Sequence, residues 1–134
     1  MKKEGFSLIE LLTVVAIMGI ISAIGVVAYT DYVTQARKTS AENVRQQIAL
    51  AQTEYYSNIG AYFKTTSTCN ITTSQGIENN LFDGGDIITE ESGYQMCIVE
   101  DGSSYIITAE SSRDGCTLKL SDVSGKPKEE EGSC

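Results

Sequence analysis

Hydrophobic patterning divides the chain into three stretches. From Phe6 to Ala28 ("FSLIELLTVVAIMGIISAIGVVA") the positions are apolar, small or hydroxylated, and Glu10 is the only charge. As a helix these 23 residues span about 34 Å, which matches a hydrocarbon core of about 30 Å. From Thr30 to Ser57 there is neither Pro nor Gly, and Ala41, Val44, Ile48, Ala51 and Tyr55 recur at steps of three and four. That spacing predicts an amphipathic helix whose stripe faces a core, with Lys38, Glu42, Arg45, Gln46 and Gln52 largely off the stripe. Gly60 stands just past its end as a stop signal. The two halves join into one helix of roughly 50 residues and about 75–80 Å, one half suited to lipid and the other to a domain.

After Tyr62 the pattern changes. "KTTSTCNITTSQGIENNLFDGGDIITEESG" is rich in Thr, Ser, Asn and Gly and reads as a long loop with one short turn of structure. "YQMCIVE", "SYIITAES" and "CTLKLSD" alternate as strands do, and "EDGS" between the first two marks a hairpin. Antiparallel strands after a long helix predict an α+β domain in which the sheet covers the helix stripe. The tail "VSGKPKEEEGSC" is polar and would fray unless Cys134 ties it down.

Composition narrows the function. A length of 134 residues allows one domain of ordinary size. The formal charge of −8 is uneven: from Thr65 onward 13 acids face Arg113, Lys119, Lys126 and Lys128, a balance of −9. A surface this acidic repels phosphate backbones, so no direct nucleic-acid binding is expected. There is no histidine, the commonest general base and metal ligand, and no Ser/Lys, Cys/His or paired-carboxylate arrangement has the spacing of an active site. The expectation is therefore no enzyme, no catalytic residue and no cofactor. Asp83, Asp86, Glu90 and Glu91 in "FDGGDIITEE" fit no specific calcium motif and read as a solvated acidic loop, so no metal is expected. Asn70-Ile71-Thr72 is a formal glycosylation sequon and reads as chance.

Cys69, Cys97, Cys116 and Cys134 are widely spaced, without a CxxC pair, which argues for disulfides in an oxidising compartment over a zinc site. Four cysteines permit three connectivities, and spacing alone leaves the choice open. Lys2 and Lys3 before the apolar run mark the cytoplasmic side, so the chain beyond Tyr29 is expected outside the cytoplasm, with Tyr29 and Tyr32 at the membrane–water interface. A cleaved secretory signal is the alternative, but the run is long for an h-region and "GIISAIGVVAYTDY" offers no clear small-x-small site.

"GFSLIELLTVVAIMGIISAIGVVAYTDY" resembles, without gaps from Gly5 to Tyr32, the N-terminal signature of type IV pilins and their pseudopilin relatives: a glycine, an aromatic, then an acid four residues after that aromatic. "CTLKLSDVSGKP…C" resembles more loosely the last strand and disulfide-closed tail of many pilins. The resemblance implies a pilin fold, with a long N-terminal helix, half transmembrane and half amphipathic, packed on an antiparallel sheet. It implies a leader at residues 1–5, a membrane and filament-core segment at 6–28, and a globular domain at 29–134. Prepilin peptidase would cut between Gly5 and Phe6 and Phe6 would be N-methylated. Subunits would wait in the bacterial inner membrane, C-terminus periplasmic. The inner-membrane assembly machinery would then extract them into an extracellular filament of like subunits and other pilins, serving adhesion, twitching motility or DNA uptake. Type II secretion pseudopilin and single-span receptor domain are the alternatives. The pairing implied is Cys116–Cys134, closing the tail, together with Cys69–Cys97, holding the long loop to the first strand.

The resemblance also accounts for Glu10. In the filament it would face the amine of Phe6 on a neighbouring subunit, so that Phe6 and Glu10 set the axial register. A carboxylate is expensive in lipid until a counter-charge arrives. On this expectation Glu10 touches only lipid or neighbouring subunits. One position departs from the family: many pilins carry a proline where this chain has Val27, leaving Gly19, Ser22 and Gly25 as the weak points of the helix.

Overall fold

The computed structural model describes residues 5–123, 126–130 and 134. Two compact units share the chain, Met1–Ala36 and Arg37–Cys134. Helix α1 (Leu8–Ile59) begins in the first and ends in the second. It is unbroken through Val27.

In the first unit every described side chain from Gly5 to Tyr32 is exposed. The hydroxyls of this apolar stretch turn back on the helix: Thr13 Oγ1 donates to the Ile9 and Glu10 carbonyls (3.0 and 2.9 Å), Ser22 Oγ to Met18 O (2.7 Å) and Thr30 Oγ1 to Val27 O (2.8 Å). Each polar group is thereby satisfied within the helix, as an apolar solvent requires.

The second unit is built on a four-stranded antiparallel sheet in the order β1 (Tyr94–Asp101), β2 (Ser104–Ser111), β3 (Thr117–Val123), β4 (Lys126–Glu130). Asp101 pairs with Ser104, so Gly102 and Ser103 are the whole β1–β2 loop. Gly102 takes φ +62, the positive φ that a two-residue hairpin needs at its first loop position. Alternation then aims Tyr94, Met96 and Ile98, Tyr105, Ile107 and Ala109, and Leu118 and Leu120 to one buried face. Ile48 and Ala49 of α1 and Ile77 of a second helix, α2 (Ile71–Leu81), join them in one core.

Three features differ from the sequence pattern. The buried face of α1 is Ala41, Arg45, Ile48, Ala49 and Gln52, rotated so that two polar residues point inward. Gln52 is fully buried because its amide pairs with the Phe63 backbone in both directions, Nε2 donating to the carbonyl (2.6 Å) and Oε1 accepting from the N–H (2.9 Å).

Second, the Thr/Ser-rich stretch contains α2. Asn70 caps it, Oδ1 accepting from Thr73 N while Thr73 Oγ1 accepts from Asn70 N (both 2.9 Å), a reciprocal arrangement worth about 1 kcal/mol. The hydroxyls have a further use. Thr73 Oγ1 donates to Met96 O (2.8 Å), Ser74 Oγ accepts from Met96 N (3.0 Å), and Thr65 accepts from Ile98 N and donates to Ile98 O. The outer edge of β1 is therefore occupied by side chains and by Thr65, which blocks strand addition there. Glu78 Oε1, accepting from Ile87 N and Ile88 N, anchors the acidic loop after α2.

Third, the polar tail forms β4, with Val123 opposite Lys126 and Lys119 opposite Glu130. Two disulfides brace the unit, Cys69–Cys97 (Cα–Cα 4.7 Å) and Cys116–Cys134 (4.6 Å). The first fixes the segment before α2 to β1, and the second fixes the chain end beside the start of β3.

Candidate functional site: the N-terminal segment of the long helix

Gly5, Phe6 and Ser7 precede α1 and are exposed, and positions 1–4, with Lys2 and Lys3, lie outside the described residues. Phe6 is 81% exposed, and a Cβ built on Gly5 meets nothing within 4 Å. Among the described residues nothing packs on Gly5, and the Gly5–Phe6 peptide bond lies before the first helical hydrogen bond.

Ser7 stands immediately before the helix. Its carbonyl accepts the first helical bond, from Leu11 N (3.2 Å), and its N–H donates to Glu10 Oε2 (2.9 Å). This is one half of a capping box, with the acid three residues into the helix reaching back to the residue before it. Glu10 accordingly touches its own chain, which corrects the expectation that it meets only lipid or neighbours. The signal is present as Ser7-Leu8-Ile9-Glu10, an S-x-x-E pattern opening an apolar run. The helix N-terminus carries partial positive charge, and its interaction with a carboxylate in the first turn is worth roughly 0.3–1 kcal/mol. The carboxylate is held one residue from Phe6, whose amine would become the chain terminus if the Gly5–Phe6 bond were cut.

From Leu8 onward α1 is long and apolar enough to cross a membrane. Leu8, Ile9, Leu11, Leu12, Val14, Val15 and their successors to Val27 are each between 46% and 80% exposed, a surface that water does not favour.

The sequence profile of the prokaryotic N-terminal methylation motif matches residues 1–26, which take in the start of α1 and the residues before it. The chain is 37% identical over 76 residues to the type IV major pilin protein PilE of Neisseria gonorrhoeae, a stretch covering 57% of this chain and 46% of that one. It is also 37% identical over 76 residues to a fimbrial protein of Neisseria meningitidis serogroup B (57% and 45% of the two chains). With the fimbrial protein EcpC of Eikenella corrodens it shares 43% over 60 residues (45% and 39%). Over the matched stretch the chain is similar to type IV pilins. The matched stretch spans less than half the length of these pilins. No solved structure matches the chain. The long N-terminal helix, antiparallel sheet and disulfide near the C-terminus make the α+β architecture pilin-like.

Proposed function

We propose that this chain is a structural, non-catalytic subunit of a type IV pilus, processed between Gly5 and Phe6 and assembled through its N-terminal helix. Residues 1–5 are the leader removed by prepilin peptidase, 6–28 the membrane and filament-core segment, and 29–134 the domain carried outside the cytoplasm. The observation that carries this reading is the placement of Glu10. It is the single charge on an exposed apolar stretch, and it is drawn toward the chain start, beside Phe6. In the membrane the carboxylate is partly compensated by the Ser7 N–H. In a filament the methylated amine of Phe6 on a neighbouring subunit supplies the full counter-charge, which favours docking at one axial register. The partners are copies of this chain and other pilins, with the inner-membrane assembly machinery acting on the processed form.

A variant at Gly5 tests the processing step without disturbing the fold. A larger side chain there has open space around it. Gly5→Val is therefore expected to melt like the wild type, yet to keep Lys2 and Lys3 in its mass and to stay in the membrane fraction. Full removal of residues 1–5 from Gly5→Val would show that the cut does not read this residue.

A further inference from the structure

An open cleft of about 240 Å³ lies between the C-terminal end of α1 and the β1–β2 hairpin, wholly within the second unit and apart from the N-terminal segment. Its wall is a stack of rings. Tyr56 lies against Tyr62 with centroids 4.5 Å apart at 29°, and Tyr62 against the buried Tyr105 at 4.7 Å. Tyr56 remains 46% exposed and lines the opening. On the rim Lys64 and Glu100 form an ion pair whose side chains are 62% and 59% exposed.

The platform is held in place before any ligand arrives. Tyr62 is packed between Tyr56 and the buried Tyr105, and burial together with the nearby Asp122 charge raises the pKa of its hydroxyl above the ordinary tyrosine value. The Gln52 amide fixes the Phe63 backbone between the platform and Lys64. Little ordering cost is left for binding.

The lining selects among ligand classes. An anion meets Glu100 and a chain of net charge −8, whereas a cation meets Lys64. A purely apolar ligand strands the ion pair out of water. A proline-rich peptide needs a succession of aromatic ridges, and here there is one platform. The size is below the roughly 300–1,000 Å³ of pockets for drug-sized ligands and suits about a dozen heavy atoms. A neutral molecule with one apolar face and several hydroxyls satisfies all of these conditions. We infer that the cleft binds one pyranose ring of a neutral glycan, its C–H face on Tyr56 and neighbouring hydroxyls donating to Glu100 and accepting from Lys64. A ligand of this size binds at about millimolar strength. On the filament reading, many copies along one fibre would raise that to useful avidity.

The test uses the full chain, unassembled, in a detergent without a sugar headgroup, so its outcome does not depend on whether filaments form. Methyl glycosides of glucose, galactose, mannose and N-acetylgalactosamine are each examined by saturation-transfer NMR. Saturation is expected on the ring-face protons of at least one glycoside. Tyr56→Ala should weaken it about tenfold, with little change in melting since the ring is half out of the fold, and Glu100→Gln severalfold. Absence of saturation for all four glycosides, equal binding by Tyr56→Ala and Glu100→Gln, or stronger saturation of a proline-rich peptide would overturn the inference.

Discussion

Glu10→Gln is expected to leave the chain folded and inserted in the membrane while abolishing filament assembly. The two roles of Glu10 separate in this variant. A glutamine oxygen still accepts from the Ser7 N–H, as the glutamine form of the capping box does, so the helix start is preserved. What it lacks is the charge that would pair with the Phe6 amine of a neighbour. Removing one partner of a desolvated charge pair costs about 2–5 kcal/mol per contact, or about 30-fold and upward in each subunit addition. Such a loss compounds along a filament. Glu10→Ala loses cap and charge together and should fail equally. The measurement is the yield of sheared surface filaments against the amount of chain in the membrane, in cells with no wild-type copy. Wild-type yield from Glu10→Gln would reduce Glu10 to a helix cap and remove the docking role.

Cys69→Ser/Cys97→Ser, made as a pair, is expected to be the most damaging change in the second unit. The disulfide closes a separation of 28 residues that includes α2 and the acidic loop. In the chain-entropy account a loop of that length restricts the unfolded chain by about 3.6 kcal/mol. For a domain near 100 residues this corresponds to a fall in melting temperature of roughly 14–29 °C. Cys116→Ser/Cys134→Ser, with a separation of 18, should cost slightly less. Thermal melts of the full chain followed by circular dichroism give both values. A fall of only a few degrees for the Cys69/Cys97 pair would show that the loop is held by the contacts of α2 with β1 instead.

The sequence shows the N-terminal segment most clearly, since a long apolar run with one acid has few alternatives, and the alternating strands β1, β2 and β3 are nearly as legible. Three things are not. Arg45 and Gln52 lie off the apolar stripe yet are buried, and for Gln52 the reason is that an amide whose hydrogen bonds are met inside a fold breaks binary patterning. Helix α2 has a single large apolar core residue, Ile77, so it lacks helical periodicity. Its Thr and Ser positions, which favour loops in isolation, become favourable only when the β1 edge needs partners. The one local signal is the Asn70–Thr73 cap. Strand β4 reads "KPKEE", a composition that opposes strands, and its pairing with β3 is tertiary in origin. Lysines and a proline on the outermost strand also discourage pairing with another chain. At the N-terminus, the cap made by Ser7 and Glu10 is hidden at the start of an apolar run, where the cost of a carboxylate in lipid is the larger signal.

Whether this chain is cut, methylated and built into a filament through Phe6 and Glu10 is decided most directly by mass. Intact-mass and N-terminal peptide spectrometry of filaments sheared from the cell surface reads all of these events at once. The expected product begins at Phe6 with a methyl group on its amine and contains two disulfides. Exported material whose mass still includes Lys2 and Lys3, or whose N-terminus lies beyond Glu10, would contradict it.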